Sequence, residues 1–157
     1  MNNPTVEGWE GYYPEGTSFY DQMRKIEAEG KCPFCPGGNL PNKIVAETAD
    51  WIAVERWPEP YKNAVLHWLL IPTRMHNGGH LTRFEELVPG DLLQVQILIG
   101  MAQKFFPGVP LEFGLGYREG KGTGRTMAHF HIHLIVPTVD SETGKPPEGK
   151  YVNFPIG

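Results

Sequence analysis

A chain of 157 residues is long enough to bury a core without disulfide staples and short enough to form one domain. Glycine and proline together stay under a quarter of it, while 40% of residues are hydrophobic and 11% aromatic, which favours a loop-rich globule over a disordered chain. With 14 basic against 18 acidic residues the net charge is −4, which excludes a nucleic-acid binder held by a broadly basic surface but allows a small anion in a local basic pocket.

Residues 1–16 read as an extended arm, with Trp9, Tyr12, Tyr13 and Pro14 among glycines. Thr17 followed by Ser18 to Ile26 predicts a short N-capped helix that ends before Gly30. The two cysteines come next, as Cys32-Pro33-Phe34-Cys35. They are too few for a disulfide framework and have the spacing of half a metal site or of a redox pair. Lys43 to Glu47 and Trp51 to Glu55 predict a hairpin, and a proline-rich loop from Trp57 to Asn63 leads into Val65 to Ile71, a buried strand ended by Pro72. Apolar residues at helical spacing from Leu92 to Phe106 predict one long helix over 91–106. Leu111 to Arg118 and Ala128 to Val136 predict two hairpin-related strands around the glycine-rich loop Glu119 to Thr126.

The polar, proline-rich tail from Thr138 holds Tyr151-Val152-Asn153-Phe154, a segment suited to docking on the body or on a second copy. The expected organisation is an arm (1–16), a domain (17–137) and a tail (138–157). The expected fold is a single-domain α+β antiparallel sheet with one long helix and a short N-terminal helix packed on one face. No apolar run can span a bilayer and no secretory pattern opens the chain, so no membrane partner and a cytoplasmic location are expected.

The chemistry concentrates in His129-Phe130-His131-Ile132-His133. In an extended segment alternate side chains share a face, so the three histidines would line one side while Phe130, Ile132 and Leu134 enter the core. A solvated face would ordinarily mix Thr, Lys and Glu. A neutral imidazole nitrogen is nucleophilic near pH 7 when an acceptor holds the other ring N–H, and neighbouring imidazoles can act as donors.

This run resembles the signature of the histidine-triad (HIT) superfamily of nucleotidyl hydrolases and transferases. His67-Trp68-Leu69-Leu70-Ile71-Pro72 resembles that family's His-φ-φ-φ-φ-Pro strand, and Arg118 to Thr126 resembles its Asn-x-Gly-x-x-x-Gly-Gln-Ser/Thr loop. The resemblance covers roughly residues 32–137 and implies a HIT-like fold, usually a homodimer. It implies that His131 attacks the α-phosphorus and carries the nucleotidyl group, while His133 and His67 contact phosphate oxygens or the leaving group. It also implies that Arg118, Gly120, Gly124, Arg125 and Thr126 hold a small-molecule nucleotide substrate.

Where the family has Asn and Gln this chain has Arg118 and Arg125, with Lys121 between them, a fork suited to a strongly anionic substrate. The family's ribose-binding acid falls at Glu55-Arg56, and the loop up to His67 is longer than usual. The implied activity is hydrolysis of a nucleoside phosphate, dinucleoside polyphosphate, phosphoramidate or adenylated adduct through a nucleotidyl-histidine. The presence of His133, where transferases of the superfamily commonly have Gln, leans toward hydrolysis. The rival readings are a nucleotidyltransferase of the same superfamily, a non-catalytic nucleotide-binding module, and a hydrolase in which the histidines ligate a catalytic metal.

Cys32 and Cys35 can reach one metal ion. The resemblance implies a structural zinc completed by His129 and by a histidine after Pro72. Both His76 and His80 qualify: His76 lies nearer the expected distance, while His80-Leu81-Thr82-Arg83-Phe84 better matches the family's helix entry and is preferred. A glutaredoxin-type redox pair would open a long helix, which Pro36-Gly37-Gly38 prevents.

Overall fold

The computed structural model describes residues 15–40, 42–123 and 125–155, so most of the arm, and Gly124 of the glycine-rich loop, lie outside the described residues. Helix α1 (Ser18–Glu29) starts where Thr17 Oγ1 accepts the Tyr20 N–H, and it ends at the left-handed Gly30. Strands β1 (Ile44–Glu47) and β2 (Trp51–Glu55) form the expected hairpin and lead to β3 (Ala64–Pro72). A two-residue hairpin, β4 (Met75–His76) and β5 (Gly79–His80), precedes the long helix α2 (Pro89–Gln103). Strands β6 (Gly114–Gly116) and β7 (Ile132–Pro137) complete an antiparallel sheet of order β1-β2-β3-β7-β6. The fold is α+β. No helix among the described residues is long and apolar enough to cross a membrane.

The helices lie on opposite faces of the sheet rather than on one. From β3, Leu66, Trp68 and Leu70 pack with Val95, Leu98 and Ala102 of α2, while Leu69 and Ile71 pack with Met23 and Ile26 of α1. Strand β3 is apolar in both registers of its alternation, so either face needs a cover. The outer side of α2 leaves Leu92, Leu93 and Ile97 exposed.

Several boundaries differ from expectation. Helix α2 begins at Pro89, whose fixed φ suits the first helical position, and Asp91 Oδ2 accepts the Val88 N–H at the cap. It stops at Gln103, because Lys104 to Phe106 tighten into three-residue bonds and the Gln103 amide is turned onto the Phe106 and Val109 carbonyls. Strand β6 is short at its start because the Leu111 N–H is taken by Gln103 Oε1.

The start of β7 matters most: it begins at Ile132, so His129 and His131 are not in it. The last ladder pair is Leu70↔Ile132, and continuing that register would set Phe130 against Pro72. Proline has no N–H to give. Its carbonyl accepts from His129 Nε2 at 2.7 Å, and the Phe130 N–H goes instead to the Leu81 carbonyl.

A buried polar network ties α2 to the sheet. Asp91, 1% exposed, accepts from Trp51 Nε1 at 2.9 Å and from Arg74 at both oxygens. Burial alone would raise its carboxyl, but the bonds from Arg74, Val88 and Trp51 outweigh that and hold it below the usual carboxylate range. Replacing Asp91 by Ala leaves the Trp51 and Arg74 donors unpaired and should cost about 3 kcal/mol in urea denaturation. A loss under about 1 kcal/mol would show that the network carries little stability.

Candidate functional site

The central strands bring two histidines into contact on the face away from α2. His133 pairs in register with Leu69, two residues along β3 from His67, and the rings lie 5.1 Å apart. The Tyr61 N–H donates to His67 Nδ1 at 3.2 Å, which puts the His67 proton on Nε2; that proton is donated to His133 Nδ1 at 2.9 Å. His133 therefore carries its own proton on Nε2, a buried donor with no partner among the described residues. The tautomer of the pair is thus set by one backbone amide.

The break before β7 separates the other two histidines by role. His131 Nδ1 donates to the His129 carbonyl at 2.8 Å, so its Nε2 lone pair is left open beside His133, 5.2 Å away ring to ring. His129 is turned the other way: its Nε2–H is spent on Pro72, and its Nδ1 faces the thiols of Cys32 (3.4 Å) and Cys35 (3.6 Å). The expected row of three imidazoles on one strand face is thus a pair on the sheet, with His133 in β7 and His67 in β3, plus His131 just outside.

Burial keeps all of them neutral. It pushes His67 down to about 3, helped by the Arg56 and Arg118 cations, and His131 down to about 4 despite the bond to the His129 carbonyl. His133 is lowered well below its usual value by burial, then by His131 and His67. A neutral His131 has its lone pair available near pH 7.

His131 and His133 line a pocket with Arg118, Thr126, Arg56 and Tyr61, and its lining also includes apolar side chains: Phe19, stacked on Trp57 at 5.6 Å, Met23 and Ile26. The expected guanidinium fork over the glycine-rich loop does not form. Arg118 donates from Nε to the Pro155 carbonyl (2.8 Å) and from Nη2 to the Tyr61 hydroxyl (3.0 Å). Arg125 is buried, with Nη1 on the Thr82 carbonyl at 2.5 Å. Lys121 begins a single turn of 3-10 helix (Lys121–Thr123). Thr126 reaches the pocket and Gly120 does not, while Gly124 is outside the described residues.

The cysteine segment folds as a knuckle. The Cys35 N–H donates to the Cys32 carbonyl and the Gly38 N–H to the Cys35 carbonyl, and a Cβ at Gly38 would collide with the Cys32 and Pro33 carbonyl oxygens. Cys32, Cys35, His80 and His129 present four ligand atoms within 4.8 Å of one another, with Cys35 Sγ 3.2 Å from His80 Nδ1. In a tetrahedral zinc site with Zn–S near 2.3 Å and Zn–N near 2.0–2.1 Å, sulfur and nitrogen stand roughly 3.6 Å apart. The donor set therefore fits a tetrahedral ion as it stands. Burial and the neighbouring thiol push Cys32 up to about 12, and burial raises Cys35, so both are protonated unless a cation takes the place of the proton. The structure brings in His80 and not His76, which lies outside the cluster and contacts Asn77. Phe34, between the cysteines, touches both His129 and His131 edge-on at 6.0 and 5.6 Å, which links this cluster to the pocket.

Sequence reasoning expected the Tyr151–Phe154 segment to dock but placed neither Phe154 nor Tyr61 in the site. Tyr61 stacks on His133 at 5.9 Å, packs on His67 at 4.4 Å and receives the Arg56 guanidinium on its face at 4.6 Å. The unusual length of the Trp57–Asn63 loop was the signal available for it.

No family model matches this sequence, and no curated protein matches it. Among solved structures the chain is similar to a hypothetical protein from Leishmania major, at 24% identity over 75% of this chain and 79% of that one, with a TM-score of 0.50. It is also similar to a HIT family hydrolase from Clostridium thermocellum (21% identity, 82% and 96% covered, TM-score 0.49). A zinc-bound histidine triad family protein from Mycobacterium smegmatis stands at 16% identity, 73% and 79% covered, and TM-score 0.45. The likeness to the Leishmania protein is one of fold.

The neutral histidines make a pH prediction. His67 titrates near 3 in the fold and near 6.5 in the unfolded chain, so between those values the unfolded state binds a proton that the fold does not. Stability should hold above about pH 6.5 and fall as pH drops toward 3, by up to about 1.4 kcal/mol per pH unit for each such histidine. Urea midpoints from pH 7 to 4 measure this slope, and His67→Gln should flatten it; an equal slope in that variant would contradict the assignment.

Proposed function

We propose that this protein is a histidine-dependent nucleotidyl hydrolase of the HIT type, acting on a nucleoside phosphate, dinucleoside polyphosphate, phosphoramidate or adenylated adduct. The observation that carries the reading is the bond from His131 Nδ1–H to the His129 carbonyl, which leaves Nε2 as a free lone pair beside the unpartnered N–H of His133. His131 Nε2 attacks phosphorus and forms a P–N bond while the bond to the leaving group breaks with its electron pair on the departing atom. The phosphorylated ring keeps its Nδ1 proton, and the His129 carbonyl opposes the positive charge that develops there. The His133 N–H and the Arg118 guanidinium stabilise negative charge on the phosphate oxygens or on the leaving group. Water then attacks the same phosphorus, the P–N pair returns to Nε2, the extra proton passes to solvent, and a nucleoside monophosphate is released. The apolar part of the lining, with Phe19, Trp57, Met23 and Ile26, suits a nucleobase.

A protein quenched at high pH during turnover should carry one nucleotidyl mass on His131, and His131→Ala should lose turnover by more than about 10³-fold. Turnover retained by His131→Ala would remove that residue from the mechanism. Tight nucleotide binding by wild type with no turnover of any of these substrates would instead favour a non-catalytic binding module.

Zinc is the ion proposed for Cys32, Cys35, His80 and His129. Four protein ligands leave no open position, so when bound it supplies structure rather than a reactive water. It would pin the cysteine knuckle to the segment before β7, and with it the carbonyl that orients His131. Metal analysis of the purified chain should give one zinc per chain, lost in His80→Ala and kept in His76→Ala. Loss of several kcal/mol of ion binding should lower the melting temperature by about 10 °C or more. Zinc retained by His80→Ala would overturn the ligand set.

A further inference from the structure

A segment outside the sheet also reaches the pocket. Phe154 stands edge-on to His133 at 5.0 Å and 71°, lies 6.2 Å from Tyr61, and carries the Arg118 guanidinium over its ring at 4.3 Å. The next carbonyl, that of Pro155, accepts from Arg118 Nε. Asn63 Nδ2 donates to the Tyr151 carbonyl at 3.0 Å, tying the segment to the loop that carries Tyr61. The ring has a shaped seat: any Cβ at Gly116 would come within 2.9 Å of Phe154. Tyr151, Asn153 and Pro155 are exposed, whereas Phe154 is half-buried.

We propose that the segment Tyr151–Pro155 is part of the catalytic site, with Phe154 a positioning residue that fixes the Arg118 guanidinium and the His133 ring for phosphoryl transfer. The proposal rests on the hydrolase reading above. A free arginine side chain carries roughly 2 kcal/mol of rotamer entropy. Here Arg118 is held on three sides, by the Phe154 face, the Pro155 carbonyl and the Tyr61 hydroxyl, and only two of its five N–H groups are spent on those two oxygens. The rest are available to phosphate oxygens in a pocket that Arg118 lines together with His131 and His133. A cation fixed in advance acts on charge that grows toward the transition state, so its loss falls on kcat more than on KM. The same ring packs on the imidazole whose Nε2–H is buried and unpartnered, so a single side chain sets both donors.

The test compares Phe154→Ala, Gly116→Ala and Lys150→Ala in the full chain, with melting temperature measured alongside. Gly116→Ala dislodges the ring without removing it, and it substitutes for Phe154→Ala if that variant fails to fold. Misplacement of about 1 Å can cost on the order of 10²-fold, so either variant should lower kcat by about 10- to 100-fold with KM within about twofold. Lys150→Ala, an exposed residue just outside the segment, should stay within about twofold of wild type. Long-range ¹H–¹⁵N spectra of the imidazoles supply a readout independent of turnover: the His133 ring signals should move in both variants while those of His80 stay in place. A rise in kcat would make the segment a lid instead, and a change in KM alone would make it a binding contact; either overturns the proposal, as do unmoved His133 signals. Wild type lacking turnover while the His133 signals move would defeat the hydrolase reading and leave the placement of His133 by Phe154 standing.

Discussion

The bond between the His129 ring and the Pro72 carbonyl decides what this site can do. A proline at the end of β3 cannot extend the ladder, so the chain facing it is released from the sheet. Released, residues 129–131 point their imidazoles in different directions. One turns to the thiols and the other keeps its lone pair for the pocket. Had β7 run on through His129, alternation would have placed all three rings on one face, where they would have competed for the same ligand. The division between a metal cluster and a nucleophile is therefore a consequence of where one N–H is missing.

Charge and burial complete the division. The protein is net negative, yet the pocket wall carries Arg56 and Arg118, and among the described residues lining it there is no carboxylate. Cations beside buried imidazoles reinforce the neutral state that burial already favours, which is the state a nucleophile needs. Around His67 and His133 the protons are directed by a chain that begins at a backbone amide, so no acidic residue is needed to orient them. Phe34 belongs to both the knuckle and the pocket and is the mechanical link between them.

Much of this was legible in the sequence where the signal is local. The Thr17 cap, the Gly30 stop, the first hairpin and the Pro72 strand end all follow from short-range stereochemistry and lie where their residues put them. The four-residue cysteine turn was likewise legible from spacing, because a knuckle is a local structure, whereas spacing alone pointed to His76 and only the resemblance of the helix entry pointed to His80. The start of β7 was not legible, since it depends on a partner strand some sixty residues away running out of donors at Pro72. The arginine fork failed for a related reason: sequence proximity cannot show that Arg118 will be claimed by Pro155 or that Arg125 will be buried under Thr82. The placement of both helices on one face failed because β3 is apolar in both registers, a property of the strand and not of the helices.

Strand β3 is buried along nearly its whole length, with side chains committed to two separate cores. Such a strand has no local route to opening. Its amides should therefore exchange with solvent only when the sheet comes apart as one cooperative event. His67 on β3 and His133 on the adjoining interior strand β7 share that rigidity, so the imidazole pair is as durable as the sheet that carries it.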